Sequence, residues 1–362
     1  MMTNRERFRN TALCKKTDRP PFMCFFGPWA ETHERWHNEG CTDWDWRKPV
    51  GYDLEIRNID VNLHYSPGFD YTLIEEKGDI KIFRDHMGIL QEAKIHGETI
   101  PKYLDYPVKC REDWEKIKNE RLDPNDPRRF PDHWDDLVKS YNESTDPVQL
   151  GYYPCGLFGM LRDMMGVEEL LVAFYDDPAL IHDMMDYLTD FWIRIYQKVV
   201  KDVKVDHLHI WEDMSGKQGL LISPDMFREF MAPNYKKLSE FAKEHDIAMI
   251  SVDTDGNVDE FIPLILEAGF NTLLPFEVSA GSDIVAYREK YPNLCILGGI
   301  DKREIAKGKE AIDSELKRIE PMFDQPGYLA SLDHLAHPEI SWQDFLYYNK
   351  RLKEMILAKQ EK

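Results

Sequence analysis

The sequence predicts an α/β chain closed into a (β/α)8 (TIM) barrel, with an N-terminal excursion that contains a small antiparallel β meander. Three observations predict it. From about residue 147, short apolar runs alternate with long amphipathic stretches, the rhythm of a parallel sheet whose strands are joined by helices. Six such βα units follow in succession, and two earlier runs, Phe22–Phe26 and one within Asp53–Leu63, bring the count to eight. No Gly-x-Gly-x-x-Gly follows the first strand, as the runner-up, an open doubly wound sheet, would want.

Taken in order, the chain opens on a helix from Asn4 to Lys16, ended by Asp18-Arg19-Pro20-Pro21, because two prolines cannot continue it. The apolar run Phe22–Phe26 follows and stops at Gly27-Pro28. Tyr71 to Ile95 reads as three short alternating segments divided by Lys77-Gly78-Asp79 and His86-Met87-Gly88, a meander. Residues 105–147 are charged, proline-dotted and rich in Trp and Asp, so the whole excursion spans about 62–147. The later strands are expected at Val148–Tyr153, Asp206–Trp211, Ile247–Val252, Thr272–Phe276, Leu294–Gly298 and Tyr328–Leu332. Helices are expected at Gly166–Val200, Ser223–Glu244, Val258–Ala268, Asp301–Ile319 and Ser341–Lys359, with Ser223 as a cap before Pro224. Barrels exceed the usual domain length of about 150 residues, so residues 1–362 read as one domain.

Composition excludes several classes. Acidic residues number 66 against 46 basic, a net charge of −20, which opposes binding to nucleic acid or anionic membranes. An anionic small molecule held by a few arginines stays open. The six cysteines form no Cys-x-x-Cys pair, which argues against a disulfide framework or a four-cysteine zinc site. With no signal-like apolar segment at the start and no run of about 18 apolar residues, a cytoplasmic enzyme or binding protein is expected.

A barrel places its active site at the carboxyl ends of its strands. There the sequence has Tyr153, Glu212-Asp213, Asp253-Thr254-Asp255, Glu277, Asp301 and Asp333-His334, carboxylates after five of the six later strands. Acids converging on one mouth want a cation or a proton between them. Asp253 and Asp255, two apart on extended backbone, point the same way. With Glu212 and His334 they make an oxygen-and-imidazole set suited to zinc, manganese or iron. The alternative has Asp255 capping the helix near Val258 and His334 merely packing. His207 and His209 precede their strand end and are expected to be packed, and His337 is expected at the surface. Cys155 is the one cysteine at a carboxyl end, whereas Cys295 begins a strand. Trp29, Trp36, Trp44 and Trp46 could form a lid or anchor a loop. Arg162 and Arg303 could hold a substrate carboxylate or pair with neighbouring acids.

Arg5-Glu6-Arg7-Phe8 with Asp18-Arg19-Pro20-Pro21, Leu161 to Gly166, and the run from Leu221-Ile222-Ser223-Pro224 to Met231-Ala232-Pro233 resemble the uroporphyrinogen decarboxylase superfamily. So do Asp255-Gly256-Asn257, Pro275-Phe276-Glu277, Gly298-Gly299-Ile300-Asp301-Lys302-Arg303 and Ser331-Leu332-Asp333-His334. The resemblance implies a barrel with its cleft at the carboxyl face, and a homodimer. In the decarboxylase branch, which uses no metal, an Arg-Gln-Ala-Gly-Arg loop grips the substrate. The corresponding Phe26–Thr32 has neither arginine, and no Phe-Ser-Asp-Ile equivalent is found. The other branch holds zinc-dependent methyltransferases that work with corrinoid proteins. Their His-x-Cys falls on Asp253-Thr254-Asp255 and their distal cysteine on His334, a harder set suited to activating an ether oxygen.

The resemblance thus implies methyl transfer from a small methoxy compound to a separate corrinoid protein. Glu212, Asp253, Asp255 and His334 would hold zinc or another divalent metal. Tyr153, Arg162 and Glu277 would contact substrate, and the segment at Trp29 would close over it. A cofactor-free decarboxylase with Asp253 or Asp255 as proton donor, and a non-catalytic tetrapyrrole- or corrinoid-binding protein, are the alternatives.

Overall fold

Parallel strands buried on both faces read as continuous apolar runs, and here they assemble into one seven-stranded parallel sheet. The computed structural model describes residues 2–95 and 100–359. In chain order its strands are β1 (Arg57–Asn58), β2 (Thr72–Lys77), β3 (Ile80–Arg84), β4 (Leu90–Lys94), β5 (Lys102–Asp105), β6 (Val148–Leu150), β7 (His207–Trp211), β8 (Ser215–Gly216), β9 (Gly219–Leu220), β10 (Met249–Asp253), β11 (Thr272–Leu274), β12 (Cys295–Leu297) and β13 (Tyr328–Leu329). The parallel sheet runs β1-β6-β7-β10-β11-β12-β13, in the TIM-barrel-like arrangement expected. β2 to β5 form the antiparallel meander, and β8 with β9 a small hairpin.

The period-2 alternation of strands divides the core in two. Leu208, Ile210, Ile250, Val252, Leu273 and Ile296 pack outward with the helices. Met249, Leu274, Cys295, Leu297 and Leu329 pack inward with Phe8, Met23 and Leu54. The register pairs Met249 with His207, Ser251 with His209 and Asp253 with Trp211, so a polar row shares the inward face.

The eighth segment departs from expectation. Phe22–Phe26 forms no ladder. Side chains take its donors: the Phe22 N–H donates to Asp53 Oδ2 at 2.8 Å and the Phe25 N–H to Ser331 Oγ at 3.4 Å. The segment therefore lies between the start of the sheet and its end, and a bridge between Pro28 and Ala336 follows it. The meander has four strands where three were expected, the fourth being β5.

Expected long helices are divided where the backbone demands it. The expected Gly166–Val200 is divided at Asp177, which ends Val167–Asp176 and caps Pro178–Asp202, while Gly166, at φ +84°, separates Val167–Asp176 from a further helix, Leu157–Met165. A π-helical turn at Phe227–Met231 precedes Ala232–Glu244. Gly308 divides Lys302–Ile305 from Lys309–Ile319. Among the described residues no helix is long and apolar enough to cross a membrane, and the six cysteines are free.

Candidate active site

At the carboxyl end of β10, Asp253 ends the inward row. Below it, Ser251 Oγ lies 2.6 Å from His207 Nε2 and 2.8 Å from His209 Nδ1. His209 Nε2 stands 3.6 Å from Asp253 Oδ2, and the Phe25 ring packs beside both imidazoles. Burial holds His209 at about 4 and His207 well below the ordinary value, so both are neutral. Burial, with the charges of Asp255 and Asp213, pushes the Asp253 carboxyl well up.

Two residues on, Asp255 Oδ1 lies 3.4 Å from His334 Nε2, and the Phe26 ring is 5.1 Å from that imidazole. Burial, then the charges of Asp213 and Glu277, raise Asp255 to about 7, while Lys302 and Arg162 oppose the rise. His334 is pushed down to about 4, mainly by burial, and stays neutral. Lys302 Nζ sits 3.4 Å from Glu277 Oε1 and 3.9 Å from Asp333 Oδ1. Glu277 Oε2 accepts the Gly256 N–H, while Asp333 accepts the N–H groups of Val278 and Lys302. Burial lifts Asp333 to about 6 despite Lys302.

The opposite wall is aromatic. Tyr153 packs edge-on to Trp211 at 4.5 Å, and the Arg162 guanidinium lies 4.8 Å from the same indole. Arg162 Nη1 donates to the carbonyl and carboxylate of Asp213 at 2.8 and 2.7 Å. Tyr153 donates to Asp163 Oδ2 at 3.1 Å, and burial raises Asp163 to about 6. Tyr103 of β5 feels the charges of Asp163 and Arg162, so the meander borders this wall.

The expected four-ligand set is not gathered. Glu212 is fully buried, and its Oε1 accepts from the Leu157 N–H (3.0 Å) and the Tyr235 hydroxyl (2.8 Å). Its Oε2 accepts from Phe158 (2.6 Å) and Gly159 (3.0 Å). It therefore caps the helix Leu157–Met165, and its oxygens are occupied. Among the described residues no group of three or more His, Cys, Asp or Glu side chains is disposed to hold a metal ion. Asp255 and His334 do come together, and the capping alternative fails for Asp255 because the helix begins only at Phe261 and has no side-chain cap.

Other expectations change too. Arg303 turns back on Asp301 at 2.9 and 2.7 Å, so Lys302, not Arg303, joins Arg162 as a cation among the mouth acids. Cys155 is buried and its thiol is pushed up to about 12, which makes it inert. Trp36 and Trp46 are core residues packed with Phe345, whereas Trp44 lies on His33 and is 70% exposed. Trp29 precedes the helix Ala30–Asn38, half-buried, with its N–H bound to the Ala336 carbonyl.

Sequence reasoning places Asp213 and Lys302 at strand ends but assigns no role to them or to Asp163. Lys302 had a partial signal: it follows Asp301, the cap of the helix Lys302–Ile305, at the carboxyl end of a strand, where a barrel's mouth lies. Asp213, at φ +43°, had none beyond its place next to Glu212.

The sequence profile of the uroporphyrinogen decarboxylase (URO-D) family matches residues 66–354. No curated protein matches the chain. Among solved structures, a methyltransferase from Methanosarcina mazei shares 13% identity at a TM-score of 0.59, covering 100% of this chain and 99% of its own. A B12-independent methionine synthase from Shewanella sp. W3-18-1, in complex with selenomethionine, shares 11% identity at a TM-score of 0.45, covering 90% and 89%. The first likeness is one of fold.

Proposed function

The chain belongs to the uroporphyrinogen decarboxylase family, and from that premise we propose that it is a methyltransferase acting on a small uncharged methoxy compound. The observation that carries this reading is the pairing of cations at the strand ends. Arg162 is held by Asp213, Lys302 by Glu277 and Asp333, and Arg303 by Asp301. A substrate with several carboxylates, such as a tetrapyrrole, would have to displace these pairs and enter a mouth rich in acids. A neutral methyl ether meets neither obstacle.

The chemistry this mouth supports is proton donation. Near pH 7 a large fraction of Asp255 still carries a proton, with the neutral His334 beside it. As the O–CH3 bond breaks, its electron pair goes to oxygen, and the Asp255 proton neutralises the developing alkoxide. A corrinoid on a separate protein, seated over the mouth, would supply the nucleophile that takes the methyl group. Asp255 then regains its proton from solvent. Trp211 and Tyr153, set edge to face, offer an aromatic corner against which an aromatic or otherwise planar ether orients. A metal fits poorly here, because the Glu212 oxygens are occupied, and no step is routed through one.

The test is a panel of methoxy compounds incubated with the purified protein and a reduced corrinoid protein. Methyl-cobalt absorbance should appear together with the demethylated alcohol. Decarboxylation of uroporphyrinogen without any methyl transfer would overturn the reading.

A further inference from the structure

The row His207–Ser251–His209–Asp253 contains three titratable groups, of which methyl transfer as described uses none. A hydroxyl carries one hydrogen, so Ser251 donates to one imidazole and accepts from the other. Both imidazoles are neutral, which leaves the row two polarities. In the first, Asp253 carries a proton on Oδ2, His209 is protonated at Nδ1, and His207 keeps an N–H at Nδ1. That buried His207 atom has no partner among the described residues. In the second, His207 Nε2–H donates to Ser251, Ser251 donates to His209 Nδ1, and His209 directs its Nε2–H toward Asp253 Oδ2. The partnerless His207 atom is then a bare lone pair. Buried N–H groups without partners are rarer than under-used acceptors. Moreover, only the second polarity suits Asp253 in either protonation state, because carboxylate and carbonyl oxygens both accept.

We propose that Ser251 is a positioning residue that, through His209, keeps an N–H dipole facing Asp253 Oδ2 and so fixes the orientation of that carboxyl group at the mouth. At 3.6 Å the N–H orients the carboxyl group without a full hydrogen bond. Phe25 on one side and the strand register on the other hold both rings in place. The carboxyl group so fixed feels the charge of Asp255, the proton donor of the proposed reaction. That part rests on the methyl-transfer reading, whereas the polarity of the row does not.

The experiment is nitrogen NMR of the full chain labelled at histidine, with His209 assigned by comparison with His209→Gln. His209 is expected in the Nε2–H form, its Nδ1 accepting a hydrogen bond. Ser251→Ala should mix the two tautomers of His209 and lower kcat about tenfold with little change in KM. Ser251→Thr, which restores the hydroxyl, should recover both. An Nδ1–H tautomer at His209 in the unaltered protein, or a tautomer indifferent to Ser251→Ala, overturns the proposal. If the expected tautomer is found and no methoxy compound is demethylated, the functional reading falls and the polarity stands.

Discussion

Replacing Glu212 separates a structural carboxylate from a catalytic one. Its two oxygens accept three backbone N–H groups and the Tyr235 hydroxyl, all in a fully buried pocket. Leaving a buried donor unpaired costs about 1–3 kcal/mol. Glu212→Ala strands the three N–H groups of the helix start and opens a cavity, so a loss of about 4 kcal/mol or more follows. Glu212→Gln loses less. With its carbonyl at the Oε2 position it still serves Phe158 and Gly159, and the Tyr235 hydroxyl can turn to accept from the amide. Only the Leu157 N–H then lacks a partner, at about 1–3 kcal/mol.

The same residue predicts a pH dependence. Burial raises Glu212 to about 7 from an ordinary 4.5, although its four hydrogen bonds oppose the rise. The folded state therefore holds the proton more tightly than the unfolded chain. This stabilisation is complete below about 4.5 and is lost as pH rises through about 7. Urea unfolding at pH 5, 6, 7 and 8 measures it: the midpoint should fall with rising pH, and Glu212→Gln should flatten the fall. A Glu212→Ala protein as stable as the original, yet inactive, would refute the structural account and return Glu212 to the site.

Three further outcomes follow. Asp255→Asn should lower the methyl-transfer rate about 100-fold or more, and the original enzyme should lose activity as pH rises through about 7, where Asp255 gives up its proton; a rate that climbs through that range contradicts the acid role. Gly156→Ala should destabilise the fold by about 3 kcal/mol or more, because a Cβ there would lie 1.6 Å from the Trp211 carbonyl oxygen; soluble yield and thermal melting report it. Prolonged chelation should leave activity intact, since Glu212 is occupied by the helix N-terminus; activity lost to a chelator and restored by zinc would show that the site rearranges around a metal.

Much of this was legible one residue at a time. The later strands announce themselves because a strand buried on both faces must be apolar along its length, as in Leu273-Leu274 and Ile296-Leu297. The strand ends could be named from sequence, and with them Asp253, Asp255 and His334. What could not be read is who meets whom. Asp206 offers a comparison: it lies just before β7, fully buried, and binds Arg5 and Arg9 from a helix some 200 residues earlier. Pairings of that kind come from chain closure and leave no local pattern.

The sequence by itself determined the fold class, through periodicities that depend only on strand and helix geometry, and it placed an excess of acid at the strand ends. Only the tertiary structure decided what those acids do. Glu212 and Asp255 look alike in the sequence, each a carboxylate following an apolar run. The helix Leu157–Met165 presents its unpaired N–H groups to Glu212, whereas Asp255 meets His334 and the neighbouring acids. A carboxylate's chemistry is set by the donors and charges packed around it, and those arrive from distant parts of the chain.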